Sequence, residues 1–225
     1  MKKMVLLFLP ALISAFLMTA CDDGGGGGGK GSHAWTDADI APFAYYRFDA
    51  EYSYETDRVY FLGGRLADGS TTSGSIWEYD PATGDYNYLG IEMPYPVSNY
   101  TIARLTDGSG REVFAIFGGR DNAGPTNRVQ LFYPQTLTVS DITVTDEYPE
   151  TISAAGVAVV DNKAYVFGGY DGASTVIAST HIFDITAASG SRWTPGPDLN
   201  LARGYIAAAA VDGVIYAIGG DTYSG

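Results

Sequence analysis

VFAIFGG at 113–119 decides the fold, because the same design returns as VYFLGG at 59–64, AYVFGG at 164–169 and VIYAIGG at 214–220. Each is an apolar run closed by two glycines. From the second glycine of one pair to the second of the next, the steps are 55, 50 and 51 residues, the length of one supersecondary unit and far too long for a coiled coil. The runs are apolar at successive positions, as in a strand buried on both faces, and Tyr60, Tyr165 and Tyr216 share one slot in them. Glycines at the end of such a strand suit a backbone that leaves the sheet through conformations or close approaches closed to a Cβ. Gly63-Gly64, Gly118-Gly119, Gly168-Gly169 and Gly219-Gly220 are therefore read as scaffold. A phosphate cradle would require G-x-x-x-x-G-K-[ST] and a following helix, and the chain offers neither signal.

Outward from each pair, a loop of about ten residues leads to a strand with an aromatic at a matching place: Tyr79 in SIWEYDP, Phe132 in RVQLFYP and Phe183 in THIFDI. A tight turn follows at 81–85, 134–136 and 186–190, then a fourth strand at 86–89, 137–142 and 191–194. The fourth strand carries Trp193 in one unit, with Tyr88 and Ile142 loosely in its place in the others. Before each diglycine run lies another apolar strand, joined to it by DGSG at 107–110, DN at 161–162 or DG at 212–213. Asn, Asp and Gly tolerate positive φ, which hairpin turns demand. Each unit is thus a four-stranded antiparallel meander.

This order of strands, diglycine, aromatic and Trp resembles the kelch repeat over about residues 33–225, which implies an all-β fold, a β-propeller of four-stranded blades. The count predicts three complete blades, about 43–90, 98–142 and 151–194, and two strands of a fourth at 203–220. HAWT at 33–36 parallels SRWT at 191–194, so 33–37 is expected to close a ring as a lone fourth strand. Such a count fits the N-terminal part of a longer propeller; a four-bladed ring lacking one strand is the other arrangement.

Residues 1–20 carry Lys2-Lys3 and the apolar stretch from Met4 to Leu17, too short for a stable membrane span and suited to an export signal. Met18-Thr19-Ala20-Cys21 resembles the bacterial lipobox, whose cysteine takes up lipid. Cys21 is the single cysteine and the expected acyl acceptor. Met18 stands where that pattern prefers Leu, and it is too large for ordinary cleavage after Ala20. Residues 21–32, with six consecutive glycines at 24–29, cannot bury surface and read as a disordered tether with a reach of roughly 20 Å. The expected location is the bacterial cell envelope, on the membrane through Cys21; Asp22 does not settle which membrane.

With Lys2 and Lys3 in the leader, 11 of the 13 basic residues remain against 26 acidic ones, a net charge of −15 that repels phosphate backbones and excludes nucleic acid as a partner. Loops after second and fourth strands emerge on one face, where a rigid scaffold normally carries binding. The side chains with recognition chemistry there are Arg65, Asp68, Arg120, Asp121, Tyr170, Asp171, Asp221 and Tyr223. Two readings of the aspartates stand side by side: caps of their own turns, or a pooled carboxylate ring for calcium, against which no loop shows EF-hand ligand spacing. Some kelch propellers are enzymes. A galactose-oxidase-like copper site needs tyrosines, paired histidines and a Tyr–Cys link, whereas this chain has Cys21, His33 and His181 only. A sialic-acid-mutarotase-like site needs an acid/base pair near the axis, and no Glu or Arg is singled out for it. The expectation is a non-catalytic protein- or glycan-binding scaffold without metal or cofactor. The alternative is a carbohydrate-active enzyme whose catalytic residues lie in further blades.

Overall fold

The structure, a computed structural model, describes residues 40–172 and 175–222. Cys21, Tyr223 and the expected closing strand at 33–37 lie outside the described residues. The blades belong to one compact unit, Ala41–Gly225.

The first blade holds β1 (Tyr45–Tyr46), β2 (Ala50–Ser53), β3 (Arg58–Leu66), β4 (Thr72–Tyr79) and β5 (Tyr86–Glu92). In the second are β6 (Thr101–Thr106), β7 (Glu112–Phe117), β8 (Val129–Tyr133) and β9 (Thr138–Asp141). A single helical turn, α1 (Thr143–Asp146), leads to the third: β10 (Gly156–Val160), β11 (Lys163–Phe167), the two-residue hairpin arms β12 (Tyr170–Asp171) and β13 (Thr175–Val176), then β14 (Thr180–Phe183) and β15 (Trp193–Pro195). The hairpin β16 (Ala207–Val211) and β17 (Val214–Ile218) begins a fourth blade. All pairing is antiparallel: β6-β7-β8-β9 and β10-β11-β14-β15 are four-stranded sheets, β3 pairs with β1, β2 and β4, with β5 beyond, and β12 pairs with β13 apart from the main sheet, so the all-β meander expected of the repeat is what forms. Asp161 and Asn162 both take positive φ, as do Asp212 and Gly213, which matches hairpin twist to strand twist.

Register fixes the equivalences between blades. The residue four before each diglycine pairs with the third-strand aromatic: Val59 with Tyr79, Phe114 with Phe132, Ala164 with Phe183. Across the next ladder these aromatics face Tyr86, Val139 and Trp193. The Trp slot is therefore filled by Tyr86 and Val139, a correction to Tyr88 and Ile142, because the first two turns hold the strands in a tighter register than the third. A second correction concerns the first diglycine. There β3 does not end but runs on to Leu66 through a bulge at Leu62/Gly64, pairing Arg65 with Thr72, so the loop shrinks to 67–71.

Blades pack face to face. Tyr60, Leu62 and Ile76 of the first meet Phe114, Ile116 and Phe132 of the second. The opposite set of β7 and β8, including Ala115, Phe117 and Leu131, meets Ala164, Val166 and Phe183 of the third. All six residues of β7 are buried, since the strand has a blade on each side. An apolar cavity of about 270 Å³ sits between the third and fourth blades, lined by side chains such as Tyr165, Phe167, Leu199 and Ile215.

Candidate functional site

The site begins with a backbone feature that no residue type announces. Arg47, Asn99, Ala154 and Tyr205, just before β2, β6, β10 and β16, adopt positive φ of 56°, 55°, 55° and 53°. Their amides run from blade to blade: Asn99 N–H donates to Arg47 C=O at 2.8 Å, Ala154 to Asn99 at 2.7 Å, and Tyr205 to Ala154 at 2.8 Å. Left-handed geometry turns the chain so that one residue can serve two blades. This chain of amides ties the inner ends of the blades together.

The diglycines complete the arrangement. Gly118 and Gly119 have φ of 60° and 99°, and Gly119 N–H donates to Ile152 C=O of the incoming connection. Gly169 does the same to Arg203 C=O. The residue after each pair is held instead to the connection entering its own blade: Arg120 forms a two-way bridge with Ser98, Tyr170 with Ser153, and Asp221 with Gly204. Arg65, Arg120, Tyr170 and Asp221 thus stand at equivalent places on one rim, beside Arg47, Asn99 and Tyr205.

Each rim side chain reaches toward the next blade. Arg65 Nη2 donates to Ser98 Oγ at 3.4 Å, Arg120 Nη1 to Gly172 C=O at 3.3 Å, and Tyr170 OH to Asp221 Oδ2 at 3.0 Å. Burial, reinforced by the bond to Asp221, pushes the Tyr170 hydroxyl up to about 12, so it remains a donor at any physiological pH. The Tyr170 ring lies 5.6 Å from that of Tyr205, whose hydroxyl accepts from Asn99 Nδ2 at 3.0 Å. Asn99 is 9% exposed, and its Oδ1 is buried with no hydrogen-bond partner. Tyr205, by contrast, is 55% exposed.

Two of the aspartates are occupied with their own loops. Asp68 Oδ1 accepts from the amides of Ser70 and Thr71, and the Thr71 hydroxyl together with those amides holds its carboxyl down at about 2. Asp121 Oδ1 accepts from Ala123 and Gly124 amides at 2.7 and 3.0 Å, closing the turn after the second diglycine. Asp171 instead accepts from the Thr151 hydroxyl. Among the described residues, no three His, Cys, Asp or Glu side chains converge as a metal set. His181 Nε2 is 3.0 Å from Glu150 Oε1 and packs edge-on against Tyr148, inside the seam between the second and third blades.

Sequence reasoning placed Arg65, Arg120, Tyr170 and Asp221 in one group and missed Arg47, Ser98, Asn99 and Tyr205. Positive φ at Asn99 had a weak signal in its residue type; Ala154 and Tyr205 had none. Comparison with known proteins agrees with this architecture. A family model described as the KLHDC2/KLHL20/DRC7 Kelch-repeats domain matches residues 52–224. Among solved structures, YjhT superposes with a TM-score of 0.62 at 12% identity over 81% of this chain. The match spans 64% of the YjhT chain, and at that identity it speaks for the fold alone. No curated protein matches by sequence. With four blade starts, four diglycines and a family match over residues 52–224, the chain belongs to the kelch-repeat β-propeller family.

Proposed function

We propose that this chain is a lipid-anchored scaffold of the bacterial cell envelope that binds a protein or glycan through the diglycine rim and performs no chemistry itself. The observation that carries the reading is the rim: polar and aromatic side chains from every blade stand together on backbone locked by interblade hydrogen bonds. A rigid base lowers the entropy lost when a partner is bound. Tyr205 offers an exposed ring, which suits recognition. Anchoring rests on the Lys2-Lys3 leader, the apolar stretch and Cys21.

A photoreactive amino acid at Asn122 or Tyr205, on the rim, should yield a discrete cross-linked adduct in intact cells. At Ser109 or Ala188, in turns at the other end of the strands, it should not. Equal adducts from both ends would sink the binding-face reading. Cys21→Ser should abolish acyl-chain labelling and release the chain from membranes; unchanged retention would count against the anchor.

A further inference from the structure

In an Asp-Gly pair the glycine nitrogen meets the aspartyl carboxyl with no Cβ to hinder its approach. The pair occurs four times among the described residues, at Asp68-Gly69, Asp107-Gly108, Asp171-Gly172 and Asp212-Gly213. In three of these the carboxylate is tied down. Asp68 accepts from the amides of Ser70 and Thr71. Asp107 accepts a fork from Arg111, at 3.0 Å from Nε and 2.7 Å from Nη2, together with the amides of Ser109 and Arg111. Asp171 accepts from the Thr151 hydroxyl, while Arg120 holds the Gly172 C=O. Asp212 differs: its carboxylate has no hydrogen bond or ion pair among the described residues.

We propose that Asp212-Gly213 is a site of spontaneous modification, at which the aspartate converts to isoaspartate through a cyclic imide. The Gly213 nitrogen attacks Cγ of the Asp212 acid form, an N–C bond closes the ring, and the Cγ hydroxyl leaves with the amide proton as water. Water then reopens the ring. Attack at Cγ restores the aspartate, whereas attack at the main-chain carbonyl breaks its bond to nitrogen and leaves the chain running through Cβ and Cγ. No electron changes hands, and water is the one co-reactant. The pair forms the two-residue turn between Val211 and Val214, exposed and with positive φ at both residues. Ring closure requires that turn to open. In the third blade the equivalent turn is clasped to the second, since Asn162 Oδ1 accepts from Thr106 N–H and its Nδ2 donates to Thr106 C=O, both at 2.8 Å. The fourth has Gly213 in that place, with no atom within 4 Å of where a side chain would begin. A hairpin packed on one face and unclasped at its turn is where local opening costs least. The tied carboxylates are also kept ionised: the Thr71 hydroxyl and nearby amides hold Asp68 at about 2, and although burial pushes Asp107 up, Arg111 and two amides hold it below its usual value. The acid form that loses water is scarce at both. Conversion at Asp212 adds a methylene to the main chain of a two-residue turn, which spoils the Val211–Val214 register and the seat of Asp221 against Gly204 beyond β17.

The test keeps the full chain in detergent at neutral pH and growth temperature, then digests it with trypsin and counts isoaspartate by enzymatic methylation. The peptide 204–225 should gain it about tenfold faster than the peptides carrying Asp68, Asp107 or Asp171. Lost cleavage before residue 212 by an Asp-specific protease maps it to that position. Asp212→Glu, which keeps the charge but closes a six-membered ring slowly, should abolish the signal in that peptide. Arg111→Gln frees Asp107 and should raise conversion there severalfold. In concentrated urea the four sites should react alike. The proposal is overturned if position 212 does not outpace the other three in the folded chain, if Asp212→Glu keeps the signal, or if Asp107 stays inert in Arg111→Gln. It is overturned equally if the same ranking persists in urea, because the fold then has no part in selecting the site.

Discussion

Gly118 and Gly108 separate two uses of glycine. At Gly118 φ is +60°, and an added Cβ would lie 2.6 Å from Ile152 O and against Ile152 Cγ2, both in the connection that seals the next blade. Gly108 has no atom within 4 Å of that position and no positive φ. Gly118→Ala should therefore cost about 3 kcal/mol or more in urea unfolding, and Gly108→Ala about 0.5 kcal/mol or less. Similar losses for the two would refute the account of the diglycine. A second residue-level effect concerns protons. Burial pushes Asp49 up to about 6 and Glu51 up to about 7, against the pull of backbone N–H bonds on the first and of Arg104 on the second. A carboxyl whose folded pKa is raised penalises folding above that value, and the penalty fades as pH falls toward the unfolded pKa. Stability should thus rise between pH 7.5 and 5, by about 1–2 kcal/mol given that both side chains keep some exposure. It should fall again below about pH 4, as Asp68 and Asp184, both held near 2, take up protons. Urea midpoints for the parent and Glu51→Gln across this range check it; a smaller rise in the variant is expected.

At the scale of elements, α1 explains why a helical turn interrupts a β chain. Its Asp146 is 3% exposed and accepts from Arg192 Nη1 at 3.1 Å and from Gly190 N at 2.9 Å, while its C=O accepts from Trp193 Nε1 at 3.1 Å. One residue of the second blade's exit thus clamps the third blade's last turn and positions Trp193 against Phe117, Tyr148 and Phe183. Asp146→Ala leaves the Arg192 charge without its partner in a largely buried seam and should cost about 3 kcal/mol. Lys163→Ala removes an ion pair whose cation is 46% exposed and should leave stability close to that of the parent. Differential scanning calorimetry of the two variants distinguishes a clamp from an incidental contact. The pattern of the turn, TVTD, carries no helical periodicity. Asp141, which accepts from the Thr143 amide, and the partners of Asp146 in the third blade hold it in place.

At the scale of the whole molecule, equivalent slots of the repeat are unequal in burial. Tyr60 and Tyr216 occupy the same slot, three residues before their diglycines, yet Tyr60 is 1% exposed and Tyr216 50%. Tyr60 lies against Phe114 and Phe132 of the neighbouring blade. On β17, Val214, Tyr216 and Ile218 face away from the third blade, and only Ile215 and Ala217 turn toward it. Tyr60→Ser should cost about 3–5 kcal/mol and Tyr216→Ser about 0.5 kcal/mol or less, measured by denaturant midpoint on this chain. Comparable losses would mean that the fourth hairpin is packed on both faces. Strand-by-strand apolarity alone cannot tell these cases apart, since burial depends on which blades stand alongside.

The amino-acid sequence by itself determined the blade, because its signals are local: paired glycines, apolar runs of strand length, Asp-Asn and Asp-Gly turns and an aromatic at constant spacing. It also grouped Arg65, Arg120, Tyr170 and Asp221, since position after a diglycine is readable along the chain. Tertiary structure decided what lies between blades. The amide chain through Arg47, Asn99, Ala154 and Tyr205 arises from contacts some fifty residues apart, and the passage of β3 through its diglycine from its pairing with β1 and β4. Such contacts depend on how twisted sheets stack, and no residue type at either end records the other.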